Sequence, residues 1–289
     1  MLTATLILPH PLLRDFIYNY TLCRSGSAQL NLDIPCFANH ETSLCFFRTD
    51  SPIMIKNSTA KITVEQVDKA SLFGVFTHFK GTMRFKGNCD EFIIEFKPNG
   101  FNRMFSIPAT EICDKILSAN EVIGKYIKQL YEQLLHASGI QEMVSLADKF
   151  LIGFLNRQKA VYSNEGITRI SDQLLSKNYN IDISKYASKA NMSIRNFERR
   201  FFEQIGTSPK LYCRILRFNT TVKSKIIHPE KSWIDIAYEN GYYDIMHMIK
   251  EFKQFANASP SVLFNNNPGL TTETLPKWND QDKTHLPLN

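Results

Sequence analysis

From residue 42 to residue 97, apolar and polar positions alternate with a period of two. Leu44 and Phe46, Ile53 and Ile55, Ile62 and Val64, Leu72 and Phe76, Met83 and Phe85, then Phe92, Ile94 and Phe96 are apolar, with polar or smaller residues between them. Breaks fall at 49–52, 57–58, 80–81 and 87–88. That period belongs to a strand with one buried face, so the stretch predicts six or more short antiparallel strands forming a barrel or a sandwich. Ahead of it, Leu12, Leu13, Phe16, Ile17 and Tyr20 are spaced for a short amphipathic helix within residues 2–24. After Phe96-Lys97-Pro98-Asn99-Gly100 the helical period returns with Phe101, Met104 and Phe105. Val122, Tyr126, Leu130 and Leu134 then make one stripe, read as core. Ile140, Met143, Val144, Ala147, Phe150, Leu151 and Phe154 make a second, roughly four turns long. It suits either core or the seam of a homodimer through 140–154. Residues 156–166 are polar and end in glycine, placing a boundary between 1–160 and 161–289.

Beyond the boundary, and after a further helix over Ile167–Leu175, the chain says one thing twice. ISKYASKANMSIRNFERRFFEQIGTSP ends at Pro209, and WIDIAYENGYYDIMHMIKEFKQFANASP ends at Pro260. Each copy has a short amphipathic helix, then Asn191 or Gly241, residue types that tolerate a left-handed backbone. Next comes an N-capping Ser193 or Asp244, then a helix with its apolar side at Phe197, Phe201 and Phe202, or at Met248, Phe252 and Phe255. Gly206 or Asn257 ends that helix, and Ser-Pro starts another. This order is a helix-turn-helix, whose second helix suits a DNA major groove. In the first copy Ser193, Arg195, Asn196, Glu198, Arg199 and Arg200 lie off the apolar side. Arginine matches both acceptors of guanine, asparagine matches adenine, and further cations hold phosphate. Single exposed arginines are ordinary surface; two capped helix pairs, one with a one-sided basic face, are a much sharper signal.

Residues 167–264 therefore resemble the DNA-binding domain of the AraC/XylS family of bacterial transcription regulators. In that family two such units are joined by one long helix, matched by Pro209–Ile227. The resemblance puts base and phosphate contacts at Ser193, Arg195, Asn196 and Arg199, and at Tyr243, Asp244, Ile245, Met246, His247 and Lys250. It departs from the family at Ile245-Met246, where a polar pair is usual, and at Asn257, where glycine is usual. Base reading by the second unit is thereby weakened, and His247 serves equally as a cap, as packing beside Tyr243, or as a phosphate contact. The Phe-Lys-Pro-Asn-Gly corner is similar to the sensory domains that precede such units. By that weaker resemblance residues 1–160 form a cupin-like regulatory domain that binds a small molecule or dimerises. An interior built from Phe46, Phe76, Phe85 and Phe96 would host an effector or simply fill itself.

Charge agrees with the split. Of a net +6, residues 1–164 carry +2, residues 165–270 carry +5 and the remainder −1. The span 182–225 alone carries +7, whereas 227–264 carries −2, so the first unit should supply most phosphate attraction. The N-terminus has no signal-peptide pattern and no long apolar span occurs, which gives a cytoplasmic expectation with no membrane partner. Six cysteines show no CxxC pair and are read as reduced thiols. His10, His40 and His78 are scattered, and Cys23, Cys36, Cys45 and Cys89 are spaced unlike a metal site, so no metal, cofactor or catalytic residue is expected. The polar tail from about 265 should be loose, apart from a docking contact by Trp278. A second reading keeps the sensor but makes the repeats a protein-interaction module whose second unit no longer reads DNA.

Overall fold

A computed structural model describes residues 2–26, 30–57, 61–157, 165–175 and 182–271. The strands are β1 (Leu2–Ile7), β2 (Ile17–Ser25), β3 (Leu30–Cys36), β4 (Thr42–Phe47), β5 (Ile53–Asn57), β6 (Ile62–Gln66), β7 (Ala70–Phe73), β8 (Gly81–Gly87), β9 (Asp90–Phe96) and β10 (Ile116–Ser118). Helix α1 (Gly100–Phe105) follows β9, and α2 (Ala119–Ile123), α3 (Tyr126–His136) and α4 (Ile140–Arg157) follow β10. The rest is helical: α5 (Glu165–Leu175), α6 (Ile183–Lys189), α7 (Ile194–Ile205), α8 (Pro209–Ile227), α9 (Trp233–Glu239), α10 (Ile245–Ala256) and α11 (Pro260–Asn266).

The fold class is α+β. A six-stranded sheet runs β1-β2-β9-β4-β7-β10 and a four-stranded sheet runs β3-β8-β5-β6. Their pairings are antiparallel, and the two sheets make a sandwich rather than a closed barrel. The six-stranded sheet is buried on both faces. Phe92, Ile94 and Phe96 of β9, with Phe46 of β4 and Tyr20 of β2, pack against α1, α3 and α4. The alternate positions Thr21, Cys23, Ser43, Cys45, Glu91 and Glu95 look between the sheets. The aromatic interior expected from sequence is corrected accordingly. Phe76 and Phe85 do line the space between the sheets, while Phe46 and Phe96 belong to the other face. The cause is helices covering what would otherwise be the solvent side.

The amphipathic helix expected within 2–24 is two paired strands, with a short 3-10 turn at Pro11–Leu13. Over so few residues the 13, 16, 17, 20 spacing fits a helix or a strand buried on both sides, and the β-branched and aromatic run Ile17–Thr21 favours the strand. Gly100 is demanded at the corner that follows β9: a Cβ there would come 1.9 Å from the Phe16 carbonyl oxygen. The 140–154 stripe packs inward. Met143, Val144, Ala147 and Leu151 are in the core and Phe154 meets Phe105 at 4.9 Å. A dimer seam therefore loses the apolar face that suggested it. Tyr20 Oη and the His10 amide both donate to Asp148 of α4, at 2.7 and 3.1 Å, fixing this helix on β2.

Sheet half and helical half are joined by buried polar contacts. The Ala38 amide donates to the Phe255 carbonyl at 2.9 Å. Asn219 of α8 donates to the Ala38 carbonyl at 2.7 Å and accepts from His40 Nδ1 at 2.9 Å. Asn99 donates to Gln204 of α7 and to Thr168 of α5, each at 3.0 Å. Residues 265–271, expected to belong to a loose tail, are held: α11 extends to Asn266, and Leu270 is buried against the core beside Phe37 and Ala38. Trp278 lies outside the described residues.

Candidate nucleic-acid interface

The first helix-turn-helix forms from local chemistry. Asp182 caps α6 by accepting from the Lys185 amide, which holds its carboxyl below the usual carboxylate range. Asn191 takes a left-handed φ of 54° between α6 and α7. Ser193 accepts from the Asn196 amide at 3.3 Å and caps α7, an interaction worth about 1 kcal/mol. Gly206 closes α7 at φ 89°, and Ala109 and Cys113 of the sheet half press on it. Phe197, Phe201 and Ile205 are inside, but Phe202 is exposed, correcting its assignment to the buried side. One turn after Phe201 the inward direction has passed to Gln204 and Ile205.

This geometry leaves the N-terminal turns of α7 bare, while the sheet half holds its C-terminal end. Arg195 and Arg199 are exposed, and Asn196 and Arg200 half-buried. Arg199 is engaged within its own helix: Nη2 donates to Asn196 at 3.0 Å and Nη1 lies 3.4 Å from Glu203. Arg195 is the side chain best placed to reach into a groove.

The second unit has the same caps and a different surface. Asp244 accepts from the His247 amide at 2.7 Å, so its carboxylate is occupied at the helix start. Asn257 takes the left-handed closing position at φ 55°. Met248, Phe252 and Phe255 are fully buried, as expected. Lys250 is exposed, Tyr243 is 87 % exposed and Met246 66 % exposed. His247 packs edge-on against Tyr242, not Tyr243, at 5.7 Å, with Nε2 3.8 Å from Glu251.

Charge counting along the chain missed where some cations go. Glu251 of α10 is 1 % exposed and takes both Arg214 Nε at 2.8 Å and Arg217 Nη2 at 2.7 Å from α8. Arg217 also lies over the Tyr242 ring. Two of the cations in the +7 span thus fasten α10 to α8, and the positive face offered to phosphate is smaller than the count. A family model described as a helix-turn-helix domain matches residues 186–266. The chain carries an AraC-type DNA-binding domain and is a transcription regulator. Ahead of the AraC-type domain, residues 5–118 match a domain of unknown function, DUF6597. No curated protein matches the chain. Among solved structures, ToxT from Vibrio cholerae is similar at 10% identity and a TM-score of 0.46, over 85% of this chain and 97% of that one. Unsaturated fatty acid bound ToxT from strain SCE256 is similar at 11% identity and a TM-score of 0.48, over 87% of this chain and 97% of that one.

Among the described residues no helix is long and apolar enough to cross a membrane, and no group of three or more metal-ligating side chains comes together. Cys23, Cys36, Cys45 and Cys89 do surround one cavity between the sheets, without forming such a group. That cavity also holds Glu41, Glu91 and Glu95. Sequence reasoning missed these glutamates because they occupy polar places in strands assumed to face water. Their signal was present: Glu91 and Glu95 alternate with Phe92, Ile94 and Phe96 in a strand whose other face had to be covered.

Proposed function

We propose that the regulator recognises a specific duplex sequence by placing α7 and α10 in successive major-groove segments, about 34 Å apart. Residues 161–289 are the DNA-binding domain and residues 1–160 the regulatory domain, whose state biases how the helical half is held. The carrying observation is the bare, capped N-terminus of α7, where Arg195 stands exposed beside Ser193 and Asn196. In this reading Arg195 takes guanine, Asn196 positions Arg199 or takes adenine, and Arg199 and Arg200 hold phosphate. In the second unit Lys250 takes phosphate and Tyr243 lies on the sugar-phosphate backbone, while Asp244 and His247 shape the helix start. One chain carries both units, so it reads an asymmetric site without needing a homodimer. It acts in the bacterial cytoplasm, with a small-molecule effector bound in the sheet half.

The exposed Tyr243 and Met246, with Ile245 half-buried against the core, favour a second version in which the second unit holds DNA but reads few bases. Selection of bound sequences from a random duplex pool separates the two. Two conserved blocks spaced by about one helical turn, 10–10.5 base pairs, support the full reading. One block supports the second version. A pool without enrichment overturns sequence-specific binding.

A further inference from the structure

Strand β6 is the last strand of the four-stranded sheet, and among the described residues it pairs with β5 alone. Soluble chains usually blunt such an edge with a proline or a bulge. β6 contains no proline, and its register with β5 is unbroken from Ile62 to Gln66. Its apolar side chains are also out in water: Ile62 is 66 % exposed and Val64 59 % exposed. Met54 of β5 points into the core. Ile53 and Ile55 therefore lie on the other side of the sheet, where Ile55 pairs with Val64. The result is an apolar strip that reaches the rim of the sheet and stops there. The backbone at the rim has a defined direction. The Val67 amide donates to the Pro52 carbonyl at 3.0 Å. An antiparallel ladder turns successive residues to opposite sides. Thr63 and Glu65 thus face β5, and Ile62, Val64 and Gln66 turn their N–H and C=O groups outward.

We propose that β6 pairs antiparallel with β6 of a second copy about a twofold axis at Thr63, joining two four-stranded sheets into one across a homodimer. In that register Ile62 lies opposite the partner's Val64. Both positions have outward backbone groups, so they exchange hydrogen bonds on each side of the axis. Thr63 meets its own copy at a position without hydrogen bonds, and the apolar strips of the two copies run together across the seam. Lys61 lies opposite the partner's Glu65, so opposite signs meet twice. Glu65 accepts from Lys56 at 2.6 Å, and the partner's Lys61 joins Lys56 at that exposed carboxylate. Charges so exposed add little affinity, but they choose the register. An axis moved to Val64 would set Lys61 against the partner's Val67 and Thr63 against the partner's Glu65. Residues 61–65 of each copy make a small interface, so the dimer is a weak one. The pairing uses no residue of the helical half and stands whether or not α7 and α10 read DNA as proposed.

Sedimentation velocity on the full chain, without DNA, should show a monomer–dimer equilibrium between about 1 and 100 µM. Val64→Pro removes an outward N–H and leaves the ladder to β5 intact. It should raise the dimer dissociation constant by roughly tenfold or more, with circular dichroism establishing that the variant is folded. Lys61→Glu sets like charges opposite each other twice and should weaken the dimer several-fold. Mild oxidation of single cysteine substitutions reads the register. Thr63→Cys brings two Cα positions to about 4.5 Å, within disulfide range, and should cross-link faster than Val64→Cys. The unsubstituted chain sets the baseline, since Cys113 is the one native thiol not fully buried. Should Val64→Pro fail to fold, Lys61→Glu and the cross-link decide. A monomer up to about 100 µM, a dimer that either folded substitution leaves unmoved, or cross-linking of Val64→Cys ahead of Thr63→Cys overturns the proposal.

Discussion

Arg195 and Arg199 stand four residues apart on one helix and have different surroundings. Arg195 is exposed, whereas Arg199 is tied to Asn196 and Glu203. A base-reading arginine distinguishes sequences, so Arg195→Ala is expected to cost about 1–3 kcal/mol at one base position and little at the others. Competition binding against single-base variants of the selected site checks this; equal loss on random duplex would contradict it. Lys250→Ala should weaken every duplex alike and reduce the salt dependence of binding by about one phosphate contact, measured as the slope of log affinity against log salt. His40 offers a pH test. Its folded-state value of about 4 lies below the ordinary value near 6.5. The stability from burying it neutral is therefore present above about pH 6.5 and lost as pH falls toward about 4. Burial raises the Glu41 carboxyl well above its usual range, and it acts in the opposite sense, weakening the fold as pH rises. His40→Gln removes only the first contribution and should flatten the acid side of the unfolding midpoint against pH.

At the scale of elements, the most consequential contact is the hold of α8 on α10. Glu251 is buried between Arg214 and Arg217, and removing one partner of such a group leaves buried charge uncompensated. Glu251→Ala should destabilise the chain by about 3–5 kcal/mol in denaturant unfolding, far more than an exposed ion pair such as Arg199 with Glu203. The helical half was legible in sequence because its instructions are local: Ser193, Asp244, Asn191, Gly206 and Asn257 each act on backbone within a few residues. The strands of β4 to β9 were legible from their period. Which way those strands face was not, because helix packing decides it: α1, α3 and α4 cover Phe46, Phe92 and Phe96, leaving Glu91 and Glu95 inside the sandwich. The same two-sided burial disguised β2 as a helix. The role of Arg214 and Arg217 was equally hidden, since a charge count cannot see a carboxylate more than thirty residues away in the chain.

Across the whole molecule, the proposed regulation depends on how firmly the two halves hold each other. Asn219 sits at that junction, fully buried, serving Ala38 and His40 at once. Asn219→Ala strands a backbone carbonyl and an imidazole N–H, each costing roughly 1–3 kcal/mol when buried without a partner. The nearby Ala38 amide, bonded to Phe255, should then exchange its hydrogen faster, and hydrogen exchange resolved at that amide measures the loosening directly. Because α8 also sets the spacing of α7 and α10, the change should alter affinity for the selected site and for random duplex by the same factor. Arg195→Ala should instead change one and spare the other. If Asn219→Ala speeds exchange at Ala38 while DNA affinity stays unchanged, the junction is structural only and the sheet half does not control DNA binding by this route. If both move together, the junction is the two-state element through which an occupant of the cavity between the sheets would act. Phe37, Asn39 and Glu41 line that cavity, while Ala38 and His40 between them bond to the helical half.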